Sequence, residues 1–182
     1  MIFEAILSFN TLIYRILSNL SVLNKSRKDF IIEIMFLFIS ISGRKNFSQF
    51  GRYGNFGEQR YRIQFEKQFN FLEFNKEIVD SYCDDELVIA FDPSYISKSG
   101  KKTPGLDKFW SGVAGAAKFG LEIGGIAAID INNKTAFHLE AIQTPTYKNI
   151  EERGITLVDY YADIIVQRKE ILLQISNYLV AD

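Results

Sequence analysis

The sequence predicts an α+β protein in which a helical region, residues 1–80, precedes an α/β region, residues 81–182. Apolar residues recur every three or four positions in the first region, as in amphipathic helices, whereas beyond residue 86 they form runs of strand length. The charges divide in the same way, because residues 1–80 carry 11 Lys and Arg against 8 Asp and Glu, while residues 81–182 carry 10 against 14. A basic first half favours an acidic partner such as a nucleic acid.

The first region is expected to contain a helix-turn-helix-like arrangement. Helical spacing predicts helices over residues 4–23 and 28–41, a short helix near 46–50, a turn at 51–54 and a further helix over 58–74. Two helices joined by a short turn are a common DNA-binding arrangement.

Basic side chains are concentrated around this turn, since residues 44–67 contain six basic against two acidic side chains. Such side chains contact phosphates and base edges in complexes with DNA. We therefore predict that this region binds DNA through Arg52, Arg60 and Arg62. The alternative is that these residues lie on the solvated faces of an ordinary helical bundle.

The second region is predicted to begin with a three-strand meander. The apolar run 87–91 indicates a buried first strand that ends at Asp92, and a basic loop follows over residues 97–115. Two further strands are predicted over residues 121–131 and 135–143, with a turn between them.

A crossover helix and a fourth strand are predicted to follow the meander. Thr156 and Asp159 form a capping-box pattern that opens the helix, and residues 178–181 form the strand. This order, with strand four beside strand one and parallel to it, is the beginning of an RNase H-like domain. Because neighbouring strands lie about 4.8 Å apart, carboxylates near the ends of strands one and four, Asp92 and Asp182, can share a metal site.

The residues around these two carboxylates resemble a known family. The segment from Asp92 to Pro145 begins DPSYISKSGKK, and the chain closes with LVDYYADIIVQRKEILLQISNYLVAD. Both resemble bacterial insertion-sequence transposases with a DDE catalytic domain, over roughly residues 85–182. In that family the first catalytic aspartate lies in a DPS motif, which Asp92 matches, and the second ends a VAD motif, which Asp182 matches.

The resemblance implies DNA transposition: binding of transposon ends and target DNA, strand cleavage and strand transfer. Two Mg²⁺ ions, held by Asp92, Asp182 and a glutamate, would activate the nucleophile and stabilise the leaving oxygen. The family's glutamate lies on a later helix and has no counterpart here, because the sequence ends at Asp182. We therefore expect a truncated form without catalysis. The alternatives are a DNA-binding competitor or repressor of transposition, and an unselected remnant that scarcely folds.

A basic and aromatic loop is expected directly after the first strand. Its residues Lys98, Lys101, Lys102 and Trp110 are predicted to hold the DNA backbone and to stack on an unpaired base near the scissile phosphate. The alternative is a solvated lysine loop with Trp110 buried beneath it.

The composition argues against several other classes of protein. One cysteine, Cys83, and one histidine, His138, cannot form a zinc site or an internal disulfide. The opening stretch lacks a signal-peptide pattern, and the apolar run 31–41 is shorter than the roughly 18 residues of a spanning helix. We therefore expect a cytoplasmic protein that has no membrane partner. The resemblance implies a bacterial protein that associates with the nucleoid. The resemblance also implies a homo-oligomer.

Overall fold

In the computed structural model, which describes residues 2–20, 23–84, 86–100 and 102–181, helices precede a mixed β-sheet. The described part contains seven helices and five strands, which confirms the predicted α+β class. The chain divides into two compact units, Met1–Asn70 and Phe71–Asp182. The sequence-based boundary at residue 80 falls ten residues later, inside a helix that belongs to the second unit.

The first unit is helical throughout its secondary structure. Its helices are α1 (Ile2–Asn19), α2 (Lys25–Ser40), α3 (Phe47–Tyr53) and α4 (Glu58–Phe65). The side chains of Asn24 and Asn46 cap α2 and α3 by accepting hydrogen bonds from main-chain N–H groups three residues later. A cluster of aromatic rings fills the space between α2, α3 and α4: Phe30, Phe47, Phe50, Tyr61 and Phe65.

The turn between α3 and α4 differs from the prediction by three residues. It lies at residues 54–57 rather than 51–54, because α3 continues to Tyr53. Gly54 is required there, since a Cβ atom on it would collide with the Tyr61 hydroxyl. That hydroxyl donates a 2.5 Å hydrogen bond to Glu33, which links α4 to α2.

The single helix predicted over residues 58–74 is wrong, because α4 ends at Phe65 and a new helix begins at Phe71. The segment after α4 is held by a residue far away in the sequence. Arg27 on α2 donates hydrogen bonds to the main-chain carbonyls of Gln64 and Lys67, at 2.7 and 3.0 Å. The Gln64 carbonyl also accepts a hydrogen bond from the Lys67 main-chain N–H, and the Arg27 contacts tie this end of α4 to α2.

The second unit is a sheet with helices on one face. Its elements are α5 (Phe71–Tyr82), β1 (Leu87–Ser97), β2 (Asp107–Ser111), β3 (Ala116–Asp130), β4 (Thr135–Gln143), α6 (Tyr147–Arg153), α7 (Leu157–Leu172) and β5 (Leu179–Ala181). Strand β3 pairs antiparallel with β1, β2 and β4, and β5 pairs in parallel with β1. The meander and the parallel fourth strand are therefore arranged as the sequence pattern predicts.

The core of this unit lies between the sheet and the helices α5 and α7. Nine buried residues form one cluster: Leu72, Val79, Ile89, Phe91, Ile126, Ala128, Leu139, Ile164 and Leu172. Gly124 makes room for the Phe91 ring, since a Cβ atom on it would lie 2.8 Å from ring carbons. The predicted capping box is confirmed, with Thr156 and Asp159 exchanging hydrogen bonds at the start of α7.

Two predictions about the strands are wrong. Strand β1 does not end at Asp92 but continues to Ser97, because its second half pairs with Gly120–Gly125 of the long strand β3. Among the described residues, β5 pairs with residues 89–91 of β1, so Pro93 lies beyond that pairing, where a missing N–H group is tolerated. The predicted loop over residues 97–115 contains strand β2, which pairs with the first five residues of β3. No helix in the described part of the chain is long and apolar enough to cross a membrane.

Candidate active site and nucleic-acid interface

The first predicted catalytic residue, Asp92, is exposed in the middle of β1. The Ser94 hydroxyl donates a 3.2 Å hydrogen bond to Asp92 Oδ2. The residue before it, Phe91, pairs with Ala181 on the parallel strand β5. The second predicted catalytic residue, Asp182, follows Ala181 in the sequence but lies outside the residues that the structure describes.

The described residues near Asp92 offer oxygen atoms of the kind that bind divalent cations. Carboxylate and hydroxyl oxygens are ligands that suit Mg²⁺, and Asp92 with Ser94 provides both types. No group of three or more His, Cys, Asp or Glu side chains able to hold a metal occurs among the described residues. The donor set fits Mg²⁺ in its chemistry, and further oxygen ligands are needed to complete the coordination.

Asp92 lies on the sheet face opposite to the core. Alternate residues of a strand point to opposite faces, so Asp92 and Phe91 face opposite sides, and Phe91 packs against the helices. Asp92 pairs with Gly125 on β3, and the register between β1 and β3 is continuous. Counting back along β3 from Gly125 in steps of two gives the other residues on the face of Asp92: Ile123, Leu121, Phe119 and Ala117.

The β2–β3 hairpin presents aromatic and basic side chains on this same face. Lys108 pairs with Phe119, and Trp110 pairs with Ala117, so all four share one side of the hairpin. Trp110 is 62% exposed and Phe119 is 61% exposed. The expectation that Trp110 could be buried beneath a lysine loop is therefore wrong.

Phe109 has the opposite environment from its neighbour Trp110. It is buried on the other face of the hairpin, and its ring stacks with that of Tyr147 at a centroid distance of 5.9 Å. Sequence reasoning missed Phe119, because it lies beyond the residues assigned to the loop. Its place on this face follows only from the register of β2 and β3, in which Phe119 lies opposite Lys108.

Of the three lysines predicted to hold DNA, the structure describes two. Lys98 follows β1 directly and Lys102 lies in the turn before β2, and both are exposed. Lys101 lies outside the described residues. None of the basic side chains on β2 or in the described part of the preceding loop forms an ion pair with another described residue.

A buried polar group links α7 to the sheet on the face opposite to Asp92. Tyr161 on α7 donates a hydrogen bond to Glu122 and lies 3.3 Å from the Thr144 hydroxyl. Burial, and then the hydrogen bond to Glu122, raises the pKa of Tyr161, so its hydroxyl keeps its proton. The Tyr161 ring also packs on Phe91 at 5.2 Å, which fixes the residue next to Asp92.

The three arginines predicted to bind DNA do not form one basic surface. Arg52 is exposed in the last turn of α3. Arg60 and Arg62 lie two residues apart on α4, which places their side chains about 160° apart around the helix axis. They therefore cannot contact the same phosphate group from one face of α4.

The partners of Arg60 and Arg62 confirm that they lie on different sides. The Arg60 guanidinium lies 3.9 Å from the centre of the Phe56 ring and donates a 3.3 Å hydrogen bond to Ser26. The Arg62 guanidinium forms a 2.5 Å ion pair with Glu58 and lies 4.8 Å from the centre of the Phe47 ring. The hydrogen bond from Arg62, with a second one from Ser48, lowers the pKa of Glu58.

Arg27, which the sequence did not single out, has a structural role. Besides the two carbonyls at the end of α4, it donates a 2.7 Å hydrogen bond to the Gln64 side chain. Burial lowers the pKa of its guanidinium. The Gln64 side chain is therefore engaged within the unit.

Comparisons with known proteins give no relative to set beside this geometry. No protein-family model matches the chain, and no curated protein or solved structure shows significant similarity to it. No family assignment follows from these comparisons.

Proposed function

We propose that the chain belongs to a DDE-type DNA transposase, in which the second unit takes part in metal-dependent strand cleavage and transfer and the first unit binds DNA. The observation that carries this proposal is the parallel pairing of Phe91 with Ala181. The residues that follow these two in the sequence are Asp92 and Asp182, the two carboxylates that match the family motifs. Because neighbouring strands lie about 4.8 Å apart, carboxylates that directly follow two paired residues would lie within reach of one metal site.

The order of strands supports an RNase H-like assignment for the second unit. Strands β1, β3 and β4 form an antiparallel meander, and α7 leads to β5, which lies beside β1 and parallel to it. Strand β2 is an addition to this pattern, and it pairs with the end of β3 that extends beyond β4.

The chemistry of strand transfer explains the need for carboxylates. A hydroxyl group must attack a phosphorus atom that already carries negative charge, in line with the leaving oxygen. Mg²⁺, when bound, supplies the charge that lowers this barrier. Asp92 would act as a metal ligand, and Ser94 orients its carboxylate through the hydrogen bond to Oδ2. The exposed lysines Lys98 and Lys102 would hold the DNA backbone beside β1.

Paramagnetic Mn²⁺ can test the metal site without requiring catalysis. At millimolar Mn²⁺ we expect NMR amide signals of Asp92 and Ser94 to broaden first. Asp92→Asn should abolish this broadening, whereas Asp163→Asn should preserve it, because Asp163 is an exposed carboxylate on α7. Broadening that is centred elsewhere, or that survives Asp92→Asn, would contradict the assignment.

A second candidate function is a DNA-binding competitor or repressor without catalysis. Its support is the charge of the first unit, in which residues 1–70 carry ten Lys and Arg against five Asp and Glu. Incubation with supercoiled donor DNA and Mg²⁺ separates the two functions. Nicking that disappears in Asp92→Ala supports catalysis, and equal binding by both proteins without nicking supports the competitor. Nicking that survives Asp92→Ala would belong to other residues or to a contaminant.

A further inference from the structure

We propose that the exposed side of the β2–β3 hairpin binds unpaired bases of single-stranded DNA. This surface, the hairpin face, consists of Lys108, Trp110, Ala117 and Phe119. This inference rests on the proposed function, which brings DNA to this sheet. It adds that the surface binds single-stranded rather than duplex DNA.

The geometry of the hairpin face is that of a stacking platform. Lys108 lies directly opposite Phe119, and Trp110 lies diagonally from Phe119 on the same side, within the reach of large side chains across paired strands. Trp110 and Phe119 are both more than half exposed, although Phe109 is buried. Strand β2 thus places one aromatic ring in the core and leaves another in solvent.

The neighbouring charges favour a nucleic acid over an apolar partner. Lys108 stands next to the rings, and Lys98 and Lys102 are exposed in the connection that precedes β2. Aromatic side chains interleaved with cations bind single strands, because bases stack on the rings while the cations follow the phosphates. In a duplex the faces of the bases are already covered by their neighbours, so an intact duplex cannot stack on these rings.

The register fixes how far the hairpin face lies from Asp92. Six residues of β3 separate Gly125, which pairs with Asp92, from Phe119, and this spans about 20 Å at about 3.4 Å per residue. Trp110, opposite Ala117, lies about 27 Å along the strand by the same measure. At a stacked spacing of about 3.4 Å per nucleotide, the bound bases lie about six to eight nucleotides from the reacting phosphate, and fewer in an extended strand. The sequence pattern predicts that Trp110 stacks on a base next to the scissile phosphate. The register instead favours stacking on bases several nucleotides away from that phosphate.

Trp110 is the only tryptophan in the chain, so its fluorescence reports on this surface alone. The full chain is titrated with a 12-nucleotide oligothymidylate and with a duplex of the same length. We expect the single strand to quench Trp110 emission in a saturable way and the duplex to leave it nearly unchanged. Quenching by the duplex alone, or by neither DNA, would overturn the proposal.

Substitutions then assign the binding to individual side chains, with labelled single-stranded DNA as the probe. Phe119→Ala should weaken binding between about fivefold and 150-fold, since a base–aromatic stack contributes about 1–3 kcal/mol. Lys108→Ala should weaken binding and reduce its salt dependence. Lys118→Ala is the matched control, because Lys118 pairs with Phe109 on the opposite side of the same hairpin.

Three results would count against the hairpin face. Equal effects of Lys108→Ala and Lys118→Ala would indicate non-specific charge attraction. A change in Trp110 emission that depends on protein concentration without DNA would indicate that a second copy of the chain covers the rings. If Asp92-dependent Mn²⁺ broadening persists while single-stranded DNA does not bind, only the hairpin proposal fails and the proposed metal site stands.

Discussion

The two units of the chain differ in the sign of their net charge and in whether their basic side chains have partners within the unit. Residues 1–70 carry ten basic against five acidic side chains, and residues 71–182 carry eleven against seventeen. In the first unit, however, Arg27, Arg60 and Arg62 are held by carbonyls, aromatic rings and a carboxylate. In the acidic second unit, Lys98 and Lys108 are exposed. Formal charge therefore does not tell which cations are available to a phosphate group.

The units also differ in how their cores are built. In the first unit, five aromatic rings from α2, α3 and α4 contact one another, with the Phe50 and Phe65 rings stacked at 6.1 Å. In the second unit, mostly aliphatic side chains pack between one sheet face and two helices. Because each core lies within its own unit, a core substitution should act on one unit only.

The largest effect is expected from Leu139→Ala, because Leu139 is fully buried in the core of the second unit. Removal of a buried leucine side chain should lower the stability of this unit by about 2–5 kcal/mol. Calorimetry should show one of two unfolding transitions moving to lower temperature. Leu17→Ala, at a fully buried position of α1, should move the other. A single transition that responds to both substitutions would show that the two units unfold together.

A smaller effect, about 1–3 kcal/mol, is expected from Tyr161→Phe, which removes the donor that satisfies the buried Glu122 carboxylate. Tyr160→Phe is the control, because the Tyr160 hydroxyl donates only a 3.3 Å hydrogen bond to the Gln143 carbonyl. Urea unfolding of the second unit measures both variants. Equal stability of Tyr161→Phe and the wild type would mean that Glu122 finds another donor.

The hydrogen bond between Tyr161 and Glu122 predicts that the stability of the second unit falls in alkaline solution. The pKa of Tyr161 is raised in the folded state, so its contribution is complete below the unfolded value of about 10 and is lost as pH rises through the folded value. The stability difference between the wild type and Tyr161→Phe should therefore shrink in strongly alkaline solution. If the stability difference between the wild type and Tyr161→Phe grew in strongly alkaline solution, the assignment of the proton to Tyr161 would be wrong.

The features that the sequence predicted correctly are local or periodic. The capping box depends on Thr156 and Asp159, three residues apart, and the strands of the meander depend on apolar alternation. The contact at the end of α4 could not be predicted in this way, because it joins Gln64 to Arg27, which lies 37 residues earlier in the sequence. Strand β2 likewise forms only because the first five residues of β3 are available as its partner.

How much of the candidate site could be predicted from the sequence differs from residue to residue. The DPS motif singled out Asp92, and the structure adds the sheet face on which it lies and its contact with Ser94. Phe119 could not be associated with Trp110 without the register of β2 against β3. The predicted pairing of Asp92 with Asp182 stays a prediction, because Asp182 lies outside the described residues.

Acid pH should lower the stability of the second unit through protonation of Asp130. This residue accepts hydrogen bonds from Asn133 and from the main chain of Asp84. The Asn133 side chain, followed by main-chain N–H groups, lowers the pKa of Asp130. Its contribution is therefore present above the unfolded pKa of about 3.9 and is lost as pH falls through the folded value. The melting temperature of Asp130→Asn should approach that of the wild type in acid, while Asp163→Asn should follow the wild type at every pH.

The smallest effect concerns the first unit, where single arginine substitutions should change DNA affinity unequally. The Arg62 charge is neutralised by Glu58, whereas the partners of Arg60, the Phe56 ring and the Ser26 hydroxyl, are uncharged. If both arginines face the same duplex, Arg60→Ala should weaken binding more than Arg62→Ala. It should also reduce the slope of log affinity against log salt by about one, the value for one lost phosphate contact. Fluorescence anisotropy at several salt concentrations measures both quantities. Unchanged affinity in both variants at low salt would remove α4 from the DNA interface, and Arg52→Ala would then test whether α3 replaces it.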